Sequence, residues 1–242
     1  QSIRWIGQFS HWQQVAIDFR HSTSFRPLPA LLGILTVGLL ILSRRRIRNS
    51  LEDLLEKSSK IYADRFVFIY YGLGYVLLLA LPFPLVMALS GWLLLINTQA
   101  ATFSHAVADG LLAAAVPLLT IQFFYLLFKP QGIAQSMLDW HAHSIQLLHR
   151  QLKWIRPVVI PVAFLIGMFA DQIDSQHSYT LGRMAFIVAM LAMAYIFHRF
   201  AHPDNGLGKN YYRENPNNWL SRLRYLWYGI FLLMPLIIIG FA

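Results

Sequence analysis

The side chains with the clearest potential for chemistry are histidines, of which the chain has nine. His198 and His202 are four residues apart, so a helix would present both imidazoles, which are common metal ligands, on one face. His141 and His143 are two apart and would point to different sides of a helix, and His149 follows them. The chain has no adjacent pair of histidines and no cysteine. This pattern favours histidines at a membrane–water interface over a metal centre, and we expect no cofactor.

A membrane enzyme of the di-iron type is the alternative, because desaturases and hydroxylases also carry clustered histidines. Such enzymes surround two irons with more histidines than these and typically use His-His boxes.

The glycines and lysine of 205–209 lack the spacing of a phosphate loop, and Asn210 stands where that loop needs Ser or Thr. The sequence has no HExxH, GxSxG or CxxC motif either. We therefore expect no enzymatic activity and keep the histidine-box enzyme as the alternative.

Two charged residues, Asp109 and Arg183, lie inside apolar runs, where ionisable groups are functional candidates. Each is within a turn or two of the end of its run, so its side chain can reach water. Arg183 can also pair with Asp171 or Asp174 across a short loop. We expect a structural role for both and keep transport or sensing as the second possibility.

The composition shows what must position these residues. Hydrophobic residues make up 57% of the 242 residues and charged residues 13%, whereas soluble proteins carry about 25% charged residues. These values exclude disorder, and the lack of cysteine excludes a disulfide scaffold. The chain is predicted to be an all-α, polytopic transmembrane helix bundle. It begins at Gln1 and ends inside an apolar run, so we expect an ordered piece of a longer chain.

Six apolar runs predict about six spans. Pro82 and Pro84 interrupt the second run and should kink it; a hairpin there is the alternative. The small residues of 106–115 permit close helix packing. Segments 47–62 and 133–155 have an amphipathic helical pattern and are predicted to be either interfacial connecting helices or extensions of the spans. The runs are 27–42, 66–96, 105–128, 157–170, 181–200 and 223–242.

Basic residues predict the sidedness of these spans. The net charge is +9, and segments 43–65, 129–156 and 199–224 hold seven, four and five lysines and arginines. Segments 97–104 and 171–180 hold none. The positive-inside rule then puts the basic segments in the cytoplasm and residues 1–26, with Trp5 and Trp12 at the interface, on the periplasmic side. The placement favours membrane lipids over nucleic acid as partners, and the cluster most suited to lipid headgroups is Arg44, Arg45, Arg46 and Arg48.

Three stretches carry a family resemblance: FRPLPALLGILTVGLLILSRRRIRNSLEDLLEK (25–57), GLGYVLLLALPFPLVMALSGWLLL (72–95) and RLRYLWYGIFLLMPLIIIGFA (222–242). The chain resembles the inner-membrane domain of large Gram-negative members of the small-conductance mechanosensitive channel (MscS) superfamily. The resemblance implies a bacterial inner-membrane domain that contacts lipid, senses tension or modulates gating, and belongs to a homo-oligomer, in this family a heptamer. It also implies that the pore, which releases ions and solutes under hypoosmotic stress, lies outside these residues.

Two further alternatives stay open beside the channel domain. In a fragment of a secondary transporter, Pro82 and Pro84 would mark a broken substrate-site helix, but spans four to six show no matching break. The other alternative is a purely structural anchor.

The predicted sidedness can be tested with one cysteine, because the chain has none of its own. An Ala101→Cys variant should react with a membrane-impermeant thiol reagent added to the outside of intact cells. Labelling only after the inner face has been opened would contradict the six-span arrangement.

Overall fold

The computed structural model describes residues 8–25, 27–60, 65–97, 100–138, 140–170, 178–203 and 206–241. Within these ranges every regular element is an α-helix, which confirms the all-α class. Trp5 lies outside the described residues. The helices are α1 (Phe9–Phe25), α2 (Pro27–Lys60), α3 (Arg65–Ala80), α4 (Pro82–Leu95), α5 (Thr102–Leu127), α6 (Ile133–Ser136), α7 (Ala142–Ala170), α8 (Ser178–Ala201), α9 (Lys209–Glu214), α10 (Trp219–Arg222) and α11 (Arg224–Phe241).

Among the described helices, fewer than six are long and apolar enough to cross a membrane. Four meet the requirement singly: Pro27–Glu56, Thr102–Leu127, Ala142–Ala170 and Gly182–Ala201. The bent pair α3 and α4 makes a fifth if it is one span. The sixth predicted run forms a shorter apolar helix, Arg224–Gly240. The described helices thus give four or five candidate spans, and the predicted count of about six is not confirmed.

The helices extend beyond the apolar runs, because helix propensity and apolarity are separate properties. α2 continues through the arginine cluster to Lys60 without a Pro or Gly after Gly38, and Leu, Glu, Lys and Arg are good helix formers. Segment 47–60 is thus an extension of the first span. The pattern at 133–155 does not form one helix: α6 ends at Ser136, and α7 begins at Ala142 and continues through Pro157 and Pro161.

The second apolar run is bent by 52° between α3 and α4. Leu81 lies at the bend, and Pro82 and Pro84 occupy the first turn of α4. Neither proline has an N–H to donate, so helical hydrogen bonds are lost at these two positions. The Leu81 N–H still donates to the Leu77 carbonyl at 3.0 Å, and the Leu85 N–H donates to the Leu81 carbonyl at 2.9 Å. The chain therefore changes direction here but does not reverse.

The long helices form an open row in chain order. α2 packs against α3 and α4, which pack against α5; α5 packs against α7, α7 against α8, and α8 against α11. In α5, 39% of the apolar segment is buried, whereas the value is only 11% in α2 and in α8. α5 is therefore the centre of the row, and α2 and α8 expose most of their apolar surface.

Glycines allow α5 to approach both of its neighbours closely. A Cβ added at Gly110 would lie 2.8 Å from the Phe164 carbonyl oxygen of α7, and one at Gly91 would lie 2.7 Å from the Ala108 carbonyl oxygen. A Cβ at Gly167 would overlap Ala113 and lie 2.8 Å from the Asp109 carbonyl oxygen. Real Cβ atoms do not come that close to backbone atoms, so these helices meet backbone to backbone, as small residues permit in membranes.

Two clusters of buried apolar side chains lie at opposite ends of α5. One is formed by Leu94, Phe103, Ala106, Val107, Ala108 and Met168. The other is formed by Val76, Leu127, Phe128, Ile133, Ala134, Met137, Ile145 and Leu148. The glycine contacts meet α5 between Ala108 and Ala113, beside the first cluster, so α4, α5 and α7 are packed most closely in this part of α5.

We expect Gly167→Ala to destabilise the protein by about 1–3 kcal/mol, because the added methyl group meets backbone atoms of α5 that cannot move independently. The matched control is Gly74→Ala in α3, where nothing lies within 4 Å of an added Cβ. Thermal unfolding in detergent should show a lower midpoint for the Gly167 variant and no decrease for the control. Equal midpoints would contradict the close α5–α7 contact.

Candidate functional site

The amino-terminal helix α1 docks on the turn between α4 and α5. The ring centroids of Trp12 and Phe103 are 5.4 Å apart in an edge-to-face arrangement, and those of His11 and Phe103 are 5.1 Å apart. Val15 packs against the apolar cluster that contains Phe103. Trp12 is therefore in contact with α5, with 40% of its surface exposed.

A buried carboxylate, Asp18, fixes this docking. Its side chain lies in the middle of α1 and is 6% exposed. Oδ2 accepts hydrogen bonds from the Ser104 hydroxyl at 2.5 Å and from the Ala101 N–H at 3.1 Å, and Oδ1 accepts one from Gln14 at 2.9 Å. Asn97 also donates to the Asp18 backbone carbonyl at 3.5 Å. We call this arrangement the Asp18 junction.

The hydrogen bonds keep Asp18 ionised in spite of its burial. Burial raises the pKa of the carboxyl group, but the bonds from Ser104, Ala101 and Gln14, together with the nearby His21, lower it by more. The net pKa of Asp18 is below its usual value. The junction therefore holds a carboxylate and not a carboxylic acid at neutral pH.

Asp18 is not among the site residues predicted from the sequence, because its partners are far away along the chain. Ser104 is separated from it by 86 residues and Ala101 by 83. One signal was available: Asp18 is the only acidic residue before Glu52. A single acid in a stretch with several basic residues suggests a specific partner elsewhere.

At the opposite end of α5, the structure brings part of the arginine cluster to a cavity of about 640 Å³. Arg44 and Arg48 from α2 line it, together with Lys129 from the α5–α6 turn and His149 from α7. Arg45 and Arg46 are exposed and are not among its lining residues. Because Arg44 and Arg48 are four residues apart, they share a helix face that their two neighbours do not. We call this cavity the basic pocket.

A tight turn places Lys129 at the basic pocket. The Gly132 N–H donates to the Lys129 carbonyl at 2.9 Å, and Gln131 has a positive φ of 61°. The Gln131 N–H is satisfied by the side chain of Gln135 at 3.0 Å. A Cβ at Gly132 would lie 2.8 Å from the Lys129 carbonyl oxygen, so this position requires glycine. Ile133, which is 1% exposed, then anchors the turn in the apolar cluster.

The five candidate histidines lie in three places in the structure, and His198 and His202 are neighbours, with ring centroids 5.7 Å apart. His149 stacks on Tyr125 with ring centroids 4.2 Å apart, and its Nδ1 donates to the Tyr125 carbonyl at 3.2 Å. His198 is hydrogen-bonded through Nδ1 to the Tyr228 hydroxyl at 2.7 Å, and the His202 ring also contacts Tyr228. His141 and His143 are exposed at the start of α7. Among the described residues, no group of three or more His, Cys, Asp or Glu residues could hold a metal ion.

The two charged residues of the apolar runs lie on different helices. Asp109 is half-buried in α5, beside the contact with Gly167. Arg183 is exposed on α8. The predicted partners of Arg183, Asp171 and Asp174, lie outside the described residues.

Comparison with known proteins gives a family match over most of the chain. Residues 27–242 match the model described as "Mechanosensitive ion channel inner membrane domain 1". A curated relative, the miniconductance mechanosensitive channel MscM of Escherichia coli (strain K12), is 28% identical over 172 residues, which is 70% of this chain. The chain spans only 15% of the length of that relative. No solved structure matches.

We expect Asp18→Asn to weaken the docking of α1 by about 2 kcal/mol, because the amide presents an N–H₂ group to donors and loses a charge-assisted acceptor. Spin labels on cysteines at the exposed positions Gln13 and Thr102 should then report a longer and broader distance distribution. Asp53→Asn, which removes an exposed acid from α2, is the control and should leave the distance unchanged.

The same spin labels test the charge of Asp18 in the labelled protein that retains this residue. Since its pKa is lowered on folding, its contribution is complete above the unfolded value of about 4 and is lost as the pH falls through the folded value. The distance should stay constant from pH 7 to 5 and lengthen only below about pH 4. A change between pH 7 and 5 would contradict this assignment.

Proposed function

Since the chain belongs to the mechanosensitive ion channel inner membrane domain family, we propose that residues 27–242 are a lipid-contacting domain that senses membrane tension and modulates the gating of a channel. The pore lies outside these residues and releases ions and solutes under hypoosmotic stress. The domain is a multi-pass part of the bacterial inner membrane and is not an enzyme.

The open row of helices is the observation that supports this proposal best. An open row exposes both of its faces and both of its edges to lipid. Leu35 and Leu42 of α2 are 66% and 83% exposed, and Leu191 of α8 is 51% exposed. Tension acts on a protein through the lipid in contact with it, so a domain with this much lipid-facing surface is suited to sensing.

A sensor must also transmit force without deforming internally. The glycine contacts of α4, α5 and α7 provide a stiff centre, because closely packed backbones cannot slide without collision. The Asp18 junction extends this stiff centre to α1. In the proposed arrangement α1 is periplasmic, and force on α1 therefore reaches α4 and α5 directly.

Association with identical chains completes the proposed channel. In the proposed channel several copies surround one axis, and the family resemblance implies seven. The exposed apolar residues of α2 and α11, the two ends of the row, leave room for lipid between neighbouring copies.

The histidine-box enzyme is not favoured. His149 lies against Tyr125, while His198 and His202 lie against Tyr228 of a different helix. The secondary transporter is not favoured either, because α7 passes through Pro157 and Pro161 without a break that would match the one at Leu81. Neither alternative has the family match that supports the channel domain.

Deleting residues 27–242 from the full-length channel should shift the tension needed for opening and leave the single-channel conductance nearly unchanged. The reason is that the lipid-facing helices are removed while the pore is retained. Patch-clamp recording from membrane patches under graded suction measures both quantities. A changed conductance would mean that these residues line the pore, and an unchanged threshold would contradict the sensing role.

Point variants provide a control that keeps the fold. Leu35→Asn changes a lipid-facing position of α2 and should also shift the threshold. Asp53→Asn changes an exposed residue on the same helix beyond its apolar part and should leave the threshold unchanged.

A further inference from the structure

We propose that the basic pocket is a binding site for one anionic phospholipid, with the phosphate held by the basic side chains and the first part of the acyl chains lying on the apolar wall. This inference rests on the membrane placement in the proposed function, and it adds the chemical class of the ligand and the residues that select it.

The charge of the pocket is complementary to a phosphate. Arg44, Arg48 and Lys129 contribute three cations to the lining, and Glu52 contributes one anion. Arg48 donates through Nε to Glu52 at 3.2 Å, which uses one of its five N–H donors and orients its guanidinium group. The other N–H groups of Arg48 and those of Arg44 stay available, and guanidinium groups bind phosphate oxygens in pairs. A zwitterionic headgroup would place an ammonium group among these cations, and the repulsion between like charges would weaken its binding.

The wall behind the charges is apolar, which a soluble anion would not require. Val76 and Ile133 are each 1% exposed, and Leu79 is 8% exposed. Leu51 and Leu55 of α2 complete this wall on the side of the arginines. A volume of about 640 Å³ is sufficient for a glycerophosphate group and several methylene groups. A ligand with one anionic end and an apolar body therefore fits better than inorganic phosphate.

The position of the pocket along α2 matches the boundary between lipid and water. Exposed apolar residues of α2 extend to Leu42, and Arg44 begins the charged part of the helix. The phosphates of a leaflet lie at this level, because arginine side chains settle there when the preceding helix spans the hydrocarbon. A lipid in the leaflet can thus enter the pocket sideways.

The arginine cluster contains its own matched control. Arg44 and Arg48 line the pocket, whereas Arg45 and Arg46 lie on the same helix with the same charge and do not. Diffuse attraction to an anionic leaflet would depend equally on both pairs. Lipid binding at a specific site in the pocket would depend on Arg44 and Arg48 alone.

The test compares the double variants Arg44→Gln/Arg48→Gln and Arg45→Gln/Arg46→Gln in the purified full-length protein. Binding of dioctanoyl phosphatidylglycerol is measured by isothermal titration calorimetry in neutral detergent. Dioctanoyl phosphatidylethanolamine tests the need for net negative charge, and inorganic phosphate tests the need for the apolar body. Thermal unfolding of each variant shows that the fold is retained.

We expect the first pair of substitutions to weaken phosphatidylglycerol binding at least about tenfold, the effect of losing one charge-assisted hydrogen bond. The second pair should change it less than about threefold, and the other two probes should bind much more weakly to the unmodified protein. Equal losses for both pairs would overturn the site in favour of diffuse attraction. Equal binding of phosphatidylethanolamine would overturn the role of charge, and equal binding of inorganic phosphate would identify a free-anion site.

These outcomes are separate from those that test gating. Lipid binding without a threshold shift in the deletion experiment would leave the site intact and contradict the sensing role. A threshold shift with no lipid preference would leave the sensing role intact and contradict the site.

Discussion

The contact between α5 and its neighbours through Gly91, Gly110 and Gly167 is the constraint on which the rest of the structure depends. Inside a membrane, lipid tails are as apolar as leucine, so burying apolar surface does not by itself hold helices together. Close backbone approach increases dispersion contact instead, and it requires residues without a Cβ at the points where the helices meet. These contacts hold α4, α5 and α7 together near the amino-terminal half of α5, and the apolar cluster around Ile133 holds α3, α5 and α7 at its other end.

The two ends of α5 use their charged groups in opposite ways. At the Asp18 junction, one carboxylate is surrounded by donors and is 6% exposed, so its charge is satisfied within the protein. At the basic pocket, Arg48 has a side-chain exposure of 62%, and the cations outnumber the single acid in the lining. The Asp18 junction stabilises a contact within the protein, whereas the basic pocket leaves positive charge available for an anionic ligand. The length of α5 separates the Asp18 carboxylate from the basic side chains of the pocket.

Sequence patterns predicted the helical membrane class and the small-residue packing of α5, because both follow from local composition. They also located the interruption at Pro82 and Pro84, since proline lacks the N–H that a helix needs. They did not give the helix ends: apolarity marks what lies in lipid, whereas α2 and α7 continue into polar sequence that is equally able to form a helix. The split of 133–155 was missed because it depends on the turn at Gln131 and Gly132.

Neither the Asp18 junction nor the basic pocket could be predicted from the sequence. The Asp18 junction joins residues more than 80 positions apart, and the basic pocket takes its lining from five helices and a turn. A hydrophobic pattern within one or two helices does not show which residues far along the chain will be in contact. The arginine cluster was recognised, but the division of its members into Arg44 and Arg48 on one side and Arg45 and Arg46 on the other depends on what α2 packs against.

The order of packing along the row has a consequence for biosynthesis. Most helices contact the helix made just before them, so each can be placed as it leaves the ribosome and enters the membrane. The Asp18 junction does not follow this order, because its donors at Ala101 and Ser104 are translated 83 and 86 residues later. During that interval the carboxylate must remain hydrated, since an ionised group without its donors cannot be buried. Docking of α1 is therefore a late event in assembly, and it marks the point at which the α4–α5 turn has been correctly formed.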